Sequence, residues 1–201
     1  MNSAIGSYDF SVVAPAGYYI ALRVGFAYPM SEQNALPARW VETYTEQGFM
    51  LFDPVMKWVY ANTGTVRWSA LKDDPQKILE KAARFGLRYG VAISCIDKSA
   101  HGQRSFGSFA RTDREFTDAE IDTLRQSLRA LHTSIAPPTN LTKAELEVLE
   151  MVKNGLLMKE IANQIGVSQG AIKQRLKNAK LKLNAKTSSQ AAALALEYGL
   201  I

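Results

Sequence analysis

Hydrophobic and polar positions divide roughly the first 135 residues into segments of strand-like and helix-like character. Four runs rich in β-branched and aromatic residues predict strands, at Tyr18 to Phe26, Val66 to Ser69, Gly90 to Ile96 and Ser105 to Arg111. Cap residues and apolar positions one turn apart predict helices, at Pro37 to about Gln47, Lys77 to Phe85 and about 118 to 133. This order favours a mostly antiparallel sheet between helices, an α/β/α sandwich of the α+β class.

Two of these helices have clear signals at their ends. Thr117 and Glu120 form a capping box, which predicts a helix start at about residue 118. Asp74 followed by Pro75 is typical of an N-cap and a first-turn proline, and Gly86 is typical of a helix stop. The second helix is therefore expected to have Asp74 as its N-cap, Pro75 in its first turn and Lys77 to Phe85 as the stretch before the stop.

A proline pair marks the boundary between two domains. Pro137 and Pro138 prevent a helix from continuing and favour extended geometry in the residue before them. We therefore expect a larger domain over residues 1 to 134, a linker over residues 135 to 141, and a small domain over residues 142 to 201.

Four helices are predicted in the small domain. Capping boxes open the first at Thr142 and the fourth at Thr187, and the second runs from about Met158 to Gln164. Gly166 ends the second helix, and Ser168 is the N-cap of the third. Two short helices joined by such a glycine-containing turn are typical of a helix-turn-helix, so an all-α four-helix domain of this kind is expected.

The third helix of the small domain has two different faces. An apolar stripe would pack on the neighbouring helices and consists of Ile172, Leu176, Ala179 and Leu183. The opposite face lies near the helix end that enters a major groove in helix-turn-helix proteins. Candidate contacts to double-stranded DNA are Ser168, Gln169, Lys173, Gln174, Arg175, Lys177 and Lys180. Leu181 falls on the exposed side, and the pattern gives no reason for it.

The charge distribution favours a polyanion as the partner of the small domain. Residues 140 to 201 contain nine Lys or Arg and five Asp or Glu, a net charge of +4, whereas the first 139 residues carry +1. The segment Ser168 to Asn184 contains five bases and no acid. The alternative is an amphipathic helix with a solvated basic face.

Composition and chemistry exclude several classes of protein. With 47% hydrophobic and 21% charged residues the chain should fold. It has no apolar run of about 18 residues and no signal-peptide pattern, so a cytoplasmic protein without membrane contact is expected. The two histidines, His101 and His132, and the single Cys95 have no metal-site or catalytic-triad spacing, so no enzyme, no metal and no cofactor is expected.

The small domain resembles the DNA-binding domain of LuxR-type transcriptional regulators along its whole length. The motifs that carry the resemblance are Leu141-Thr142, Glu145 to Leu149, Gly155, Glu160-Ile161-Ala162, Val167-Ser168, Lys182-Leu183 and Gly199-Leu200-Ile201. The small residues of the fourth helix, Ala191, Ala192, Ala193 and Ala195, would allow close helix approach, so a homodimer contact there is expected. The alternative is a helix buried only within its own domain.

The larger domain resembles, over roughly residues 18 to 133, the acyl-homoserine-lactone-binding domain of quorum-sensing LuxR-type regulators. The matching residues are Trp40, Tyr44, Gly48, Asp53-Pro54-Val55, Trp68, Phe85-Gly86 and Gly90-Val91. The resemblance implies that the indole N–H of Trp40 binds a lactone carbonyl, that Asp53 binds an amide N–H, and that Tyr44 and Trp68 wall the pocket. Ser108 stands where members of the family often place a Ser or Thr near the acyl amide. The alternative is that Trp40 and Tyr44 are core residues and Asp53-Pro54 a turn.

The chain departs from the family in two places. Leu36 stands where some members have a tyrosine for the acyl carbonyl, and only about seventeen residues precede the first strand, where the family usually has a further helix. The leading hypothesis is a homodimeric transcription regulator controlled by an N-acyl-homoserine lactone or similar small signal. The alternatives are a ligand-independent regulator, orphan or antagonist, and an interaction module that has lost DNA binding.

Overall fold

The structure is a computed structural model that describes residues 9–25, 28–97 and 102–201. The chain forms two compact units, Met1–Ile135 and Ala136–Ile201. Two sequence-based expectations, the end of the first strand at Phe26 and the loop that contains His101, lie outside the described residues.

A five-stranded sheet forms the centre of the first unit. Its strands are β1 (Gly17–Val24), β2 (Pro29–Asn34), β3 (Gly64–Arg67), β4 (Tyr89–Ile96) and β5 (Arg104–Arg111). Their order in the sheet is β2-β1-β5-β4-β3, and every neighbouring pair is antiparallel.

Helices cover both faces of this sheet. They are α1 (Ala38–Glu46), α2 (Pro54–Ala61), α3 (Ile78–Ala83) and α4 (Asp118–Ser134). Because side chains alternate along a strand, Ile20 and Val91 pack with α4, whereas Ala21 and Ala92 pack with α1, α2 and α3. The predicted α/β/α sandwich with an antiparallel sheet is confirmed.

The sequence pattern missed strand β2, helix α2 and a short 3₁₀ turn at Phe49–Leu51 in the first unit. β2 contains mainly polar residues (PMSEQN), because it is an edge strand without a fully buried face. α2 begins directly at Pro54, with Asp53 as its N-cap, where the pattern gave only a turn. The proline fits the first helical position because the N–H that it lacks would have no intrahelical partner there.

Two predicted boundaries were wrong. Residues 68 to 70 form a 3₁₀ turn, so the third strand ends at Arg67. α3 begins at Ile78 and not near Pro75, because Lys77 has a left-handed backbone with φ of 53°. Asp74 still caps this helix, since its carboxylate accepts hydrogen bonds from the backbone N–H groups of Ile78 and Leu79 at 2.8 and 2.9 Å.

A closed ring of hydrogen bonds joins the end of α4 to the sheet. The backbone N–H of Arg23 donates to Ser105 Oγ at 2.8 Å, and Ser105 Oγ lies 2.7 Å from His132 Nδ1. His132 Nε2 lies 2.9 Å from Asp97 Oδ1, and Arg23 Nη1 donates to Asp97 Oδ2 at 2.7 Å. Ser105 is 0% exposed, so the serine hydroxyl is buried and the ring ties the end of α4 to strands β1 and β5 and to the residue that follows β4.

Four helices form the second unit, as predicted: α5 (Lys143–Lys153), α6 (Met158–Ile165), α7 (Gln169–Lys182) and α8 (Ser188–Glu197). The side chains of Thr142, Ser168 and Thr187 accept the capping hydrogen bonds at the first residues of α5, α7 and α8. The predicted apolar stripe of α7 is buried against α5, α6 and α8.

Candidate functional site

A cavity of about 220 Å³ lies between the sheet and helices α1, α2 and α3. All five ligand-binding candidates from the sequence line it: Trp40 and Tyr44 from α1, Asp53 at the start of α2, Trp68 after β3, and Ser108 from β5. Four segments spread over residues 40 to 108 therefore bring their aromatic and polar side chains to one place.

The rest of the cavity wall is mostly apolar. The residues that the sequence pattern did not single out include Val41, Met50, Met56, Ile78, Leu79, Ala82 and Leu87, and Val55 of the matching residues lines the cavity as well. Leu36, the position of the departure from the family, also lies in the wall, as do Tyr19 and Asn34. A pocket of this composition suits a small amphipathic molecule.

The carboxylate of Asp53 is the central acceptor in the cavity. Its Oδ1 accepts the backbone N–H of Val55 at 2.7 Å, which caps α2, and its Oδ2 accepts the hydroxyl proton of Tyr44 at 2.8 Å. Burial raises the pKa of this carboxyl above its ordinary value, and the two hydrogen bonds oppose the shift. Burial, together with the charge of Asp53, raises the pKa of the Tyr44 hydroxyl. Tyr44 therefore remains a hydrogen-bond donor to Asp53.

Trp40 and Trp68 form the aromatic part of the wall. The ring centroid of Trp40 lies 5.6 Å from that of Tyr44 and 5.5 Å from that of Phe85. Trp68 lies directly over Gly90, where an added Cβ would overlap the indole Cδ2. A glycine is therefore required at position 90 for the ring to hold this position in the wall.

Ser108 reaches the cavity from the middle of the sheet. It lies opposite Tyr19 of β1 and Ala92 of β4, so its side chain shares the face that carries α1, α2 and α3. Tyr19 donates its hydroxyl proton to Glu32 on β2 at 2.7 Å. The hydroxyl of Ser108 makes no hydrogen bond within the described residues, so it is free to meet a ligand.

The outward face of α7 carries most of the candidate DNA contacts. Gln169, Lys173, Gln174 and Lys177 are exposed, and Lys180 is partly exposed. The remaining candidate at the helix start, Ser168, is exposed and also caps the helix, because its Oγ accepts the N–H of Ala171 at 3.2 Å.

Two basic residues of α7 point towards α5 instead of outward. Arg175 is half-buried, with its Nη1 3.9 Å from Glu147 of α5. Lys182 donates to the buried carboxylate of Glu145 at 2.7 Å. Arg175, which the sequence gave as a candidate DNA contact, and Lys182 thus tie α7 to α5. Leu181 is 72% exposed, and the structure gives no reason for it.

The alanines of α8 are placed differently from the expected dimer contact. Ala191, Ala192 and Ala195 are buried in the core of the second unit itself. The side chains that α8 presents outward include Ala193 and Leu196, and Leu196 is 52% exposed.

The described part of the chain has neither a metal-ligand cluster nor a helix that could span a membrane. No cluster of three or more His, Cys, Asp or Glu side chains there could hold a metal ion. No helix within the described ranges is long and apolar enough to cross a membrane.

Comparison with known proteins assigns both units. The family model of the autoinducer binding domain matches residues 29–136, and that of the bacterial regulatory proteins of the luxR family matches residues 139–195. The chain therefore belongs to the LuxR-type transcriptional regulators of quorum sensing, with an autoinducer-binding domain and a DNA-binding domain.

Similar proteins extend over most of the chain. The transcriptional activator SolR of Ralstonia nicotianae is 28% identical over 95% of this chain and 89% of its own length. The transcriptional activator VanR of Vibrio anguillarum is 30% identical over 82% of this chain and 75% of its own length. The solved structure of SdiA in complex with octanoyl-rac-glycerol is 26% identical, covers 92% of this chain and 81% of the SdiA chain, and has a TM-score of 0.51.

Proposed function

We propose that the chain is a transcription regulator whose effector is an N-acyl-homoserine lactone, or a similarly small amphipathic signal, bound in the cavity of the first unit. The observation that carries the proposal is the convergence of Trp40, Tyr44, Asp53, Trp68 and Ser108 on that cavity. SdiA, which is similar over both units, binds an acylated molecule, octanoyl-rac-glycerol, and this supports an acyl ligand here.

The polar groups of the cavity suit a lactone joined to an amide. The free lone pairs of Asp53 would accept the amide N–H of the ligand, and the indole N–H of Trp40 would donate to the lactone carbonyl. The Ser108 hydroxyl, which can donate or accept, would meet the acyl carbonyl in place of the tyrosine that Leu36 replaces.

Cavity size limits the ligand. The volume of about 220 Å³ is below the range of about 300 to 1,000 Å³ that drug-sized ligands occupy. We therefore infer that the signal has a short acyl chain.

The second half of the proposal concerns DNA. α7 would enter the major groove of double-stranded DNA with Gln174 near base edges and with Lys173, Lys177 and Lys180 near phosphates. Two copies would bind a two-fold-related site, and exposed Leu196 of α8 is a candidate for the contact between them. As a bacterial DNA-binding regulator it would act in the cytoplasm, without catalysis and without a cofactor.

A thermal-shift series with the full chain tests the effector. Lactones of increasing acyl length are added at about 100 times the dissociation constant, where a ligand specific for the folded state adds roughly 2.7 kcal/mol. We expect a shift with short chains. The absence of a shift with any lactone would favour the ligand-independent alternative.

A gel-shift assay with genomic DNA fragments tests the other half of the proposal. Retarded fragments are expected both for a ligand-responsive and for a ligand-independent regulator. If no fragment is retarded, with or without lactone, the interaction module becomes the better description.

A further inference from the structure

Two amide side chains on the outward face of α7 are joined to each other. Gln174 and Asn178 are four residues apart, so they lie one turn apart on the same side of the helix. The Nε2 of Gln174 donates to Oδ1 of Asn178 at 2.9 Å. Gln174 is exposed and Asn178 half-exposed, so the pair is open to a partner of the helix.

The direction of this hydrogen bond determines which atoms Gln174 offers outward. One N–H of its amide is used by Asn178, so a second N–H donor and the Oε1 acceptor remain. If the bond ran the other way, from Asn178 to Gln174, both N–H donors of the glutamine would remain free beside one lone pair of Oε1, and the amide could turn its donors towards guanine.

In the major groove, adenine offers the N7 acceptor beside the N6–H donor, whereas guanine offers two acceptors, N7 and O6. One donor and one acceptor on the same amide match adenine, and against guanine they would place Oε1 next to O6, two acceptors without a proton between them. The charges beside the pair on α7, Lys173 and Lys177, favour the phosphates of any sequence equally.

We propose that Gln174 and Asn178 act as a pair that selects adenine over guanine at one position of the DNA site. Gln174 contacts the base, and Asn178 is the positioning residue that fixes the orientation of the glutamine amide. This inference rests on the proposed docking of α7 in the major groove.

Adenine analogues test the inference with the full-length protein and a selected DNA site. At each adenine the base is replaced by guanine or by 7-deazaadenine, which has C–H in place of N7. For the wild type we expect each replacement at one position to weaken binding by about 5- to 150-fold, the range of one bidentate base contact.

Variants of Asn178 then test whether this residue orients the amide of Gln174. Asn178→Ala should remove the preference for adenine over guanine and leave affinity for scrambled DNA unchanged. Asn178→Asp keeps an acceptor for Gln174 Nε2, so the preference should persist while its negative charge weakens binding to all DNA. Gln164→Ala removes an exposed amide from α6 and should preserve the preference. Circular dichroism and melting temperature check that each variant is folded.

The outcomes distinguish failure of this inference from failure of the docking. If the wild type binds DNA with a strong salt dependence but no adenine is sensitive to 7-deaza substitution, the pair does not read adenine. If Asn178→Ala retains the full preference, Asn178 does not position the glutamine. If the wild type binds no DNA, the proposed function fails as well.

Discussion

The hydroxyl of Tyr44 on α1 donates to the carboxylate of Asp53 at the start of α2, with 2.8 Å between the oxygens. The same carboxylate caps α2 through Val55. The Asp53 side chain thus links α1 to α2 and also supplies the acceptor of the cavity. A substitution that keeps the cap of α2 should therefore change ligand binding without preventing folding.

Asp53→Asn is expected to weaken ligand binding and to preserve the fold. Asparagine is as good an N-cap as aspartate, so its carbonyl oxygen can still accept the N–H of Val55 and α2 should form. Its NH2 group then takes the place of the oxygen that faces Tyr44, and the tyrosine hydroxyl can accept a hydrogen bond from it. The ligand amide then meets an uncharged group, and we expect a loss of about 1 to 3 kcal/mol in ligand binding. Calorimetric titration with the lactone measures it.

The control for this substitution is Asp122→Asn, which makes the same change at an exposed position of α4. It should bind the signal normally, and DNA affinity without ligand should be unchanged in both variants. Equal lactone affinity for Asp53→Asn and wild type would remove Asp53 from the site.

Trp40→Phe is expected to weaken ligand binding because the indole N–H is lost while an aromatic ring remains. A ligand carbonyl left without its donor costs about 1 to 3 kcal/mol. Trp58→Phe is the matched control, since Trp58 is half-buried and does not line the cavity. If the lactone stabilises both variants to the same extent in a thermal-shift assay, Trp40 is only a wall residue.

Lys177→Ala and Gln174→Ala should affect DNA binding in different ways. Loss of Lys177 should weaken binding to selected and to scrambled DNA equally. It should also reduce the slope of log affinity against log salt concentration by about one, because one phosphate contact is lost. Loss of Gln174 should cost about 1 to 3 kcal/mol at the selected site alone. Lys72→Ala, which removes the same charge from the first unit, should leave the slope unchanged. Equal weakening of both DNAs by Gln174→Ala, with an unchanged slope for Lys177→Ala, contradicts the docking.

The ring around His132 predicts a loss of stability in mild acid. Burial lowers the pKa of this imidazole below its ordinary value, and the hydrogen bond to Asp97 opposes the shift only in part. The unfolded chain therefore binds a proton more readily than the folded one, so the stabilisation is present above a pH of about 6.5 and declines as the pH falls towards the folded pKa.

Urea unfolding at pH 7.5 and 5.5 tests this window. All three tryptophans, Trp40, Trp58 and Trp68, lie in the first unit, so their fluorescence follows that unit alone. His132→Gln should be less stable at pH 7.5 and should depend less on pH than the wild type. If the variant keeps the full difference between the two pH values, another group causes it.

Local signals in the sequence determined most of the fold, because caps and apolar periodicity need only neighbouring residues. The helices of the second unit and α4 were predicted for this reason. β2 was missed because an edge strand with polar residues has no periodic pattern, and α3 was extended towards Pro75 because the left-handed backbone of Lys77 has no sequence signal.

The candidate site was predicted in part. The five side chains that meet at the cavity stand in a spacing that resembles a known family. Met50 and Tyr19 were not singled out, because their place in the wall depends on the 3₁₀ turn between α1 and α2 and on the register of β1 against β5. The hydrogen-bonded ring of Ser105, His132 and Asp97 could not be predicted from the sequence. Ser105 is 27 residues and Asp97 is 35 residues from His132, and the three side chains meet only in the folded domain.

The double attachment of Asp53 has a consequence for selectivity. Its acceptor is held in place before any ligand arrives, so binding of the polar head loses little conformational freedom there. Elsewhere the wall contains Met50 and Met56, whose unbranched thioether side chains can repack around different shapes. We therefore expect strict discrimination between head groups and tolerance of branching or unsaturation in a short acyl tail, so that one receptor answers a set of related signals.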